Sequence, residues 1–181
     1  MLSGKGKDTL LSLARETLSS HLAGKSPPEV TSPPDELAAL CGAFVSLHKG
    51  DALRGCIGTF EASEPLFKTV ERMAISAGTR DPRFDPVTAD ELSEIEIEIS
   101  VLSPRRPIRD FSEIVVGRDG LCVTRGFHHG VLLPQVATDQ EWDAETFLSH
   151  TCLKAGLDAN AWREGDLVIE VFEAEIFSEK R

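Results

Sequence analysis

Apolar residues first recur at helical spacing near the start of the chain. Leu10, Leu11, Ala14, Leu18 and Leu22 fall on one stripe of a helix running from about Asp8 to Ala23. Gly24 follows as a stop, and Pro27-Pro28 prevents continuation. Ala43–His48 and Ala52–Phe60 are strand-like, with Lys49-Gly50-Asp51 between them, which predicts a β-hairpin. Pro65 opens a second helix that presents Leu66, Val70, Met73, Ala74 and Ala77 on one face. The two prolines of Arg80–Pro86 exclude a helix interior there. Thr88 and Glu91 have capping-box spacing before a single turn. Ile95, Ile97, Ile99 and Val101 then alternate with polar positions along a strand.

The second half carries shorter runs. Ile114–Val116, Leu121–Thr124 and Val131–Leu133 read as three strands of a meander ended by Pro134, a candidate small lobe over 108–134. Asp143 is the N-cap expected for a helix from Ala144 to Lys154, buried through Phe147, Leu148, Cys152 and Trp142, with Gly156 just past its end. One turn at Asp158–Trp162 and a long strand from Leu167 to Phe177 complete the chain. Helices mix with antiparallel hairpins and no regular βαβ alternation appears. The fold class expected is therefore α+β, a mostly antiparallel sheet with flanking helices.

Composition narrows the partners. The 181 residues are 41% hydrophobic and 27% charged, values of a soluble globular protein with room for one sizeable core or two small lobes. A net charge of −11 is the wrong electrostatic footprint for nucleic acid. No apolar run approaches a membrane span, and residues 1–10 contain no signal-peptide core, so no membrane association and a cytoplasmic location are expected. There is no His-x-x-x-His, no Cys-x-x-C pattern and no carboxylate-rich loop. Neither a metal nor a cofactor is expected.

One stretch has the composition of a site. In Leu53-Arg54-Gly55-Cys56-Ile57-Gly58 a thiol lies between two glycines, with a guanidinium two residues away. Glycine inside a strand marks a bulge or a close approach by backbone or ligand, which makes Gly55 and Gly58 candidate ligand contacts. Cys56 is the candidate nucleophile or redox thiol, and Arg54 shares its face on a regular strand. Alternatives are a thiol that contacts ligand without reacting, and a cysteine kept for packing. Cys41, Cys122 and Cys152 sit in apolar patterns and read as small buried hydrophobes.

The candidate partners of Cys56 are scattered. His48 ends the paired strand near Asp51–Leu53, toward the turn, a poor position from which to serve Cys56 as a base. Arg83 in Asp81-Pro82-Arg83-Phe84 reads either as a fork for an anionic group or as an Arg–Asp lock with Phe84 plugged into the core. Glu98, opposite in parity to Ile97 and Ile99, is solvated or directed into a cleft, and Gln135 offers a neutral amide after a strand end.

The hexapeptide Leu53–Gly58 resembles the signature of the AMMECR1 family. So do Gly42–Val45, Asp81–Phe84, Ile95–Leu102, Leu133–Val136 and the run from Trp142 through Thr151–Leu157, all in family order over about residues 8–177. The resemblance implies a single two-lobed domain over 8–177. Its larger lobe comes from about 8–100 plus 140–177 and its smaller lobe from about 104–138, with the hexapeptide beside the cleft between them. It also implies a pathway shared with Memo-like and radical-SAM proteins. Two functions follow as expectations. One is an enzyme or enzyme subunit acting through a Cys/Arg site on a small molecule or a modified partner protein. The other is a non-catalytic binding or adaptor module that contacts a ligand or partner through Leu53–Gly58.

Overall fold

The computed structural model describes residues 2–179, and their contacts divide into two units. The first holds the residues up to Leu102 together with those from Glu175 onward; the second is Ser103–Ala174.

In the first unit, α1 (Gly4–Leu22) begins where the Ser3 side chain accepts the Gly6 N–H at 3.0 Å, and it ends before Gly24, whose φ is +68°. A one-turn helix, α2 (Asp35–Ala38), follows and buries Leu37. The hairpin forms as expected from β1 (Ala43–Lys49) and β2 (Ala52–Thr59). Next come α3 (Leu66–Thr79), a 3-10 turn at Glu91–Glu94, and β3 (Ile95–Leu102). The sheet order is β2-β1-β3, all antiparallel. The end of the chain returns beside β3, where the Glu179 N–H donates to the Ile97 carbonyl at 3.0 Å.

Period explains the layering. Ala43, Val45 and Leu47 of β1 and Ile95, Ile97, Ile99 and Val101 of β3 point one way, into a core completed by Leu10, Ala14 and Leu18 of α1 and Leu66, Val70, Met73 and Ala74 of α3. Each fully buried Leu or Ile of this set contributes roughly 1.5–3 kcal/mol by leaving water. Phe44, Ser46 and His48 of β1, Cys56 of β2, and Glu96 and Glu98 of β3 take the other parity and are only partly buried. This helix-free face carries the candidate chemistry.

The second unit contains β4 (Arg106–Pro107), β5 (Asp119–Arg125), β6 (His128–Leu132), α4 (Pro134–Asp139), α5 (Ala144–Lys154) and β7 (Val168–Ser178), whose last residues belong to the first unit. β5 pairs with both β6 and β7. The sequence reading differs here in three places. Ile114–Val116 is a turn and not a strand, because the Asp119 carboxylate accepts the Val115 N–H at 2.9 Å and the Asp119 N–H returns to the Val115 carbonyl. Pro134 starts a helix as well as ending a strand, so Gln135 lies in α4. Residues 140–174, placed by the sequence reading with the larger lobe, group with the middle of the chain. Phe147, Leu148 and Cys152 of α5 pack on Leu121 and Val123 of β5 and Val171 of β7. The expected N-cap is present: Asp143 accepts the Thr146 N–H at 2.8 Å. Among the described residues no helix is long and apolar enough to cross a membrane.

Candidate functional site

The hexapeptide is not a regular strand. Leu47 stands opposite Gly55 while His48 stands opposite Leu53, so Arg54 is the extra residue of a β-bulge. The bulge breaks the parity that puts Arg54 and Cys56 on one face. The Arg54 guanidinium turns to the loop after α3. Its Nε and Nη2 each meet the Glu91 carboxylate at 3.1 Å, and Nη1 and Nη2 reach the Asp85 and Pro86 carbonyls at 2.7 and 3.3 Å. Arg54 is thus fully engaged in tying residues 85–91 to the sheet. Glu91 in turn accepts the Thr88 N–H at 3.1 Å, but the turn itself starts at Glu91 with Asp90 before it and no side-chain cap, so Thr88 is not the N-cap that the spacing suggests.

Both glycines of the hexapeptide are set by packing. A Cβ on Gly55 would lie 2.2 Å from the Ala77 carbonyl oxygen, so α3 rests directly on the strand. A Cβ on Gly58 would lie 2.2 Å from the Phe44 ring, which covers that position and meets Phe60 edge-on at 4.9 Å.

Cys56 occupies the middle of this edge strand. It is opposite Ser46, and the Ser46 hydroxyl donates to its Sγ at 3.2 Å. Its backbone groups point away from β1 and are taken by the loop Asp81-Pro82-Arg83. The Asp81 Oδ2 accepts the Cys56 N–H at 2.9 Å, and the Arg83 Nη2 donates to the Cys56 carbonyl at 3.2 Å. The loop therefore closes the sheet edge at Cys56 as a neighbouring strand would. Asp81 and Arg83 are locked to each other by two bonds, Nε to Oδ1 at 2.9 Å and Nη2 to Oδ2 at 2.7 Å.

The lock reading of this loop is the one the geometry fits, with one difference. Phe84 is not plugged into the core; it is partly buried, with the Arg83 guanidinium 5.4 Å over its ring. Val87 is the core residue of the segment. The Asp81 carboxyl is held well below the ordinary range, first by the Arg83 side chain and then by the backbone N–H groups of Cys56 and Arg83. Arg83 is held above its ordinary value, first by hydrogen bonding to Asp81 and to a smaller extent by the Cys56 side chain beside it. The cation bonded to Cys56, at its carbonyl, is therefore Arg83.

The remaining candidates separate. Glu98 is opposite Ser46 on the far side of β1, so Cys56, Ser46 and Glu98 form one transverse row. His48 is one row along, opposite Leu53 and Glu96, and its Nε2 is buried with no hydrogen-bond partner among the described residues. Gln135 belongs to the second unit, where its Oε1 is likewise buried and unpartnered.

Burial pushes the thiols of Cys41, Cys122 and Cys152 upward in pKa. Cys152 is a core residue of the second unit, as expected. Cys122 is fully buried but lies among polar groups that the sequence reading missed: Arg105 Nη1 at 3.4 Å and His129 Nδ1 at 3.9 Å from its Sγ. The signal was the parity of Cys122 against Leu121 and Val123, which puts it on the opposite face of β5.

Comparison with known proteins covers most of the chain. A family model described as AMMECR1 matches residues 11–177. A protein of Methanothermobacter thermautotrophicus is 43% identical over 178 residues, covering 94% of this chain and 93% of that one. A protein of Methanocaldococcus jannaschii is 42% identical over 174 residues, covering 92% and 86%. The crystal structure of the uncharacterized protein PH0010 from Pyrococcus horikoshii matches with a TM-score of 0.87 at 37% identity, covering 99% of this chain and 94% of that one.

Proposed function

The chain belongs to the AMMECR1 family, and from that premise we propose that it is an enzyme or enzyme subunit whose working group is the Cys56 thiol. On this reading its ligand is a small molecule or a modified side chain of a partner protein. The observation that carries the reading is the polar surround of Cys56: the Ser46 hydroxyl donates to its Sγ at 3.2 Å, and the Arg83 guanidinium donates to its carbonyl at 3.2 Å. Donors and cations stabilise a thiolate once it forms, and the thiolate is the form that attacks electrophiles. Cys152, by contrast, lies in the hydrophobic core of the second unit. The cytoplasmic location and the link to Memo-like and radical-SAM proteins rest on the family resemblance and belong to the same proposal. Co-purification with the tagged protein tests the link.

The test of the site is a crystal soaked with a metabolite extract. An adduct on Cys56, or ligand density within reach of its Sγ and of Ser46, supports the reading. Density that appears only elsewhere in the molecule contradicts it.

A second reading, a non-catalytic module that contacts a partner through Leu53–Gly58, is favoured by one observation. Leu53, the second residue of β2, is an exposed apolar side chain, while Arg54, Gly55 and Gly58 are occupied by structural contacts. Retention of partner binding in Cys56→Ser together with its loss in Leu53→Asp decides for this reading.

A further inference from the structure

We propose that Cys122 is a second reactive thiol, which hydrogen peroxide oxidises to a sulfenic acid with Arg105 and His129 acting at the sulfur. The proposal does not depend on the reading of Cys56, and every residue it uses belongs to the second unit.

Cys122 is buried without belonging to a core. It is 0% exposed, yet among the described residues it joins neither hydrophobic cluster. Leu121 and Val123 pack with α5, and Cys122 takes the opposite parity on β5. On that side its Sγ meets polar groups from several segments. Arg105, just before β4, donates from Nη1 at 3.4 Å. His129 of β6 brings Nδ1 to 3.9 Å, and the same nitrogen lies 3.2 Å from the Thr124 Oγ1. Glu170 of β7 stands opposite Cys122 in register, with its carboxylate 3.9 Å from Arg105. Burial raises the pKa of the thiol; Arg105 and Thr124 oppose that rise, and Glu170 adds to it. The thiol therefore rests protonated, with a base and a cation already in place.

These groups supply what oxidation of a protonated thiol needs. In the tautomer that carries its proton on Nε2, the His129 Nδ1 takes the thiol proton. His129 is exposed, so that proton exchanges with solvent. The sulfur attacks the near oxygen of the peroxide, an S–O bond forms and the O–O bond breaks. The far oxygen collects the proton from His129 and leaves as water. Sulfur is oxidised by two electrons and the peroxide is reduced by two. The Arg105 guanidinium stabilises first the thiolate and then the charge that develops on the leaving oxygen.

Charge and size select the oxidant. Arg105 and Glu170 carry opposite charges beside the sulfur, so there is no net charge for an ionic reagent to match. Complete burial of Cys122 excludes a bulky electrophile until Arg105 moves. Hydrogen peroxide is small and neutral, and it both accepts and donates hydrogen bonds. It is suited to accept one from Arg105 and donate one to Glu170.

The experiment exposes the reduced full chain to hydrogen peroxide at pH 7. Catalase stops the reaction, and the chain is unfolded in urea with dimedone, which traps sulfenic acid. Peptide mass spectrometry then reads Cys122. Parallel samples are oxidised in urea, or alkylated with iodoacetamide folded and in urea. Peroxide is expected to oxidise folded Cys122 about tenfold faster than the denatured thiol, while iodoacetamide alkylates the folded thiol about tenfold slower. Arg105→Ala is expected to slow the oxidation about tenfold and to speed the alkylation. His129→Gln is expected to slow the oxidation severalfold.

A thiol that Arg105 merely shelters behaves differently. Folding slows both reactions and Arg105→Ala speeds both, and that result overturns the proposal. So does an oxidation rate no faster folded than in urea, or one unmoved by both substitutions. Where a substitution prevents folding, the folded and urea rates of the unsubstituted chain decide alone.

Discussion

Asp81 holds Cys56 by its backbone. The Oδ2 of a buried carboxylate accepts the Cys56 N–H at 2.9 Å, and the same carboxylate takes the Arg83 guanidinium that reaches the Cys56 carbonyl. One loop thus fixes the edge strand and sets a cation on the carbonyl of Cys56. Asp81→Asn weakens both jobs while keeping the size. We expect a loss of about 1–2 kcal/mol, less than for a fully buried ion pair because Arg83 is half exposed. Urea unfolding measures the loss, and hydrogen exchange at the Cys56 amide is expected to speed up with it.

Acid removes the same contacts. Arg54 first, and then the Thr88 N–H, hold the Glu91 carboxyl down to about 2, and Asp81 is also held well below its ordinary range. Both folded values lie below the unfolded ones of about 4, so their stabilisation is fully present above about pH 5 and is lost as pH falls toward the folded values. Urea midpoints are expected to drop steeply between about pH 5 and pH 3, and Glu91→Gln is expected to flatten that slope. A wild-type midpoint that is level across this range contradicts the assignment.

The hexapeptide glycines give unequal penalties. In Gly55→Ala the new methyl meets the backbone carbonyl of Ala77 at 2.2 Å, so α3 itself must move, at a cost of about 3 kcal/mol. In Gly58→Ala the nearest atoms belong to the Phe44 side chain, with the Ala43 carbonyl behind it at 2.7 Å, and part of the strain is relieved by ring movement. Phe44→Ala is therefore expected to offset part of the Gly58→Ala cost, a coupling that a double-mutant cycle reads directly. Strict additivity of the two substitutions contradicts the packing account.

Arg54 and Arg83 are expected to part company. Arg54→Ala frees residues 85–91 and lowers stability by about 1–2 kcal/mol through lost charged hydrogen bonds, with Cys56 alkylation changing by less than about twofold. Arg83→Ala is expected to slow Cys56 alkylation severalfold. Alkylation rates on both variants, set beside their urea midpoints, separate the two arginines. A large rate loss in Arg54→Ala with unchanged stability reverses the assignment.

Much of the scaffold was legible from period alone. Leu10, Ala14 and Leu18, the α3 face from Leu66 to Ala77, and the alternation of Ile95–Val101 all reach the core, because each pattern is long and its period unambiguous. Short apolar runs were less informative: Ile114–Val116 resembles a strand, but the Asp119 carboxylate makes it a turn. Pro134 fits both a strand stop and a helix start, and only the structure selects between them. At the candidate site, the sequence singled out the thiol and set Arg54 on its face. The bulge at Arg54 leaves no mark in the pattern, and the arginine beside Cys56 comes from a loop distant along the chain.

The most direct measurement of the central claim is the rate at which iodoacetamide alkylates Cys56 in the folded chain, compared with the same thiol in urea and with Cys152 in the folded chain. The account predicts that folded Cys56 reacts faster than its denatured counterpart while core Cys152 stays unmodified. A folded Cys56 that reacts no faster than the denatured thiol contradicts it.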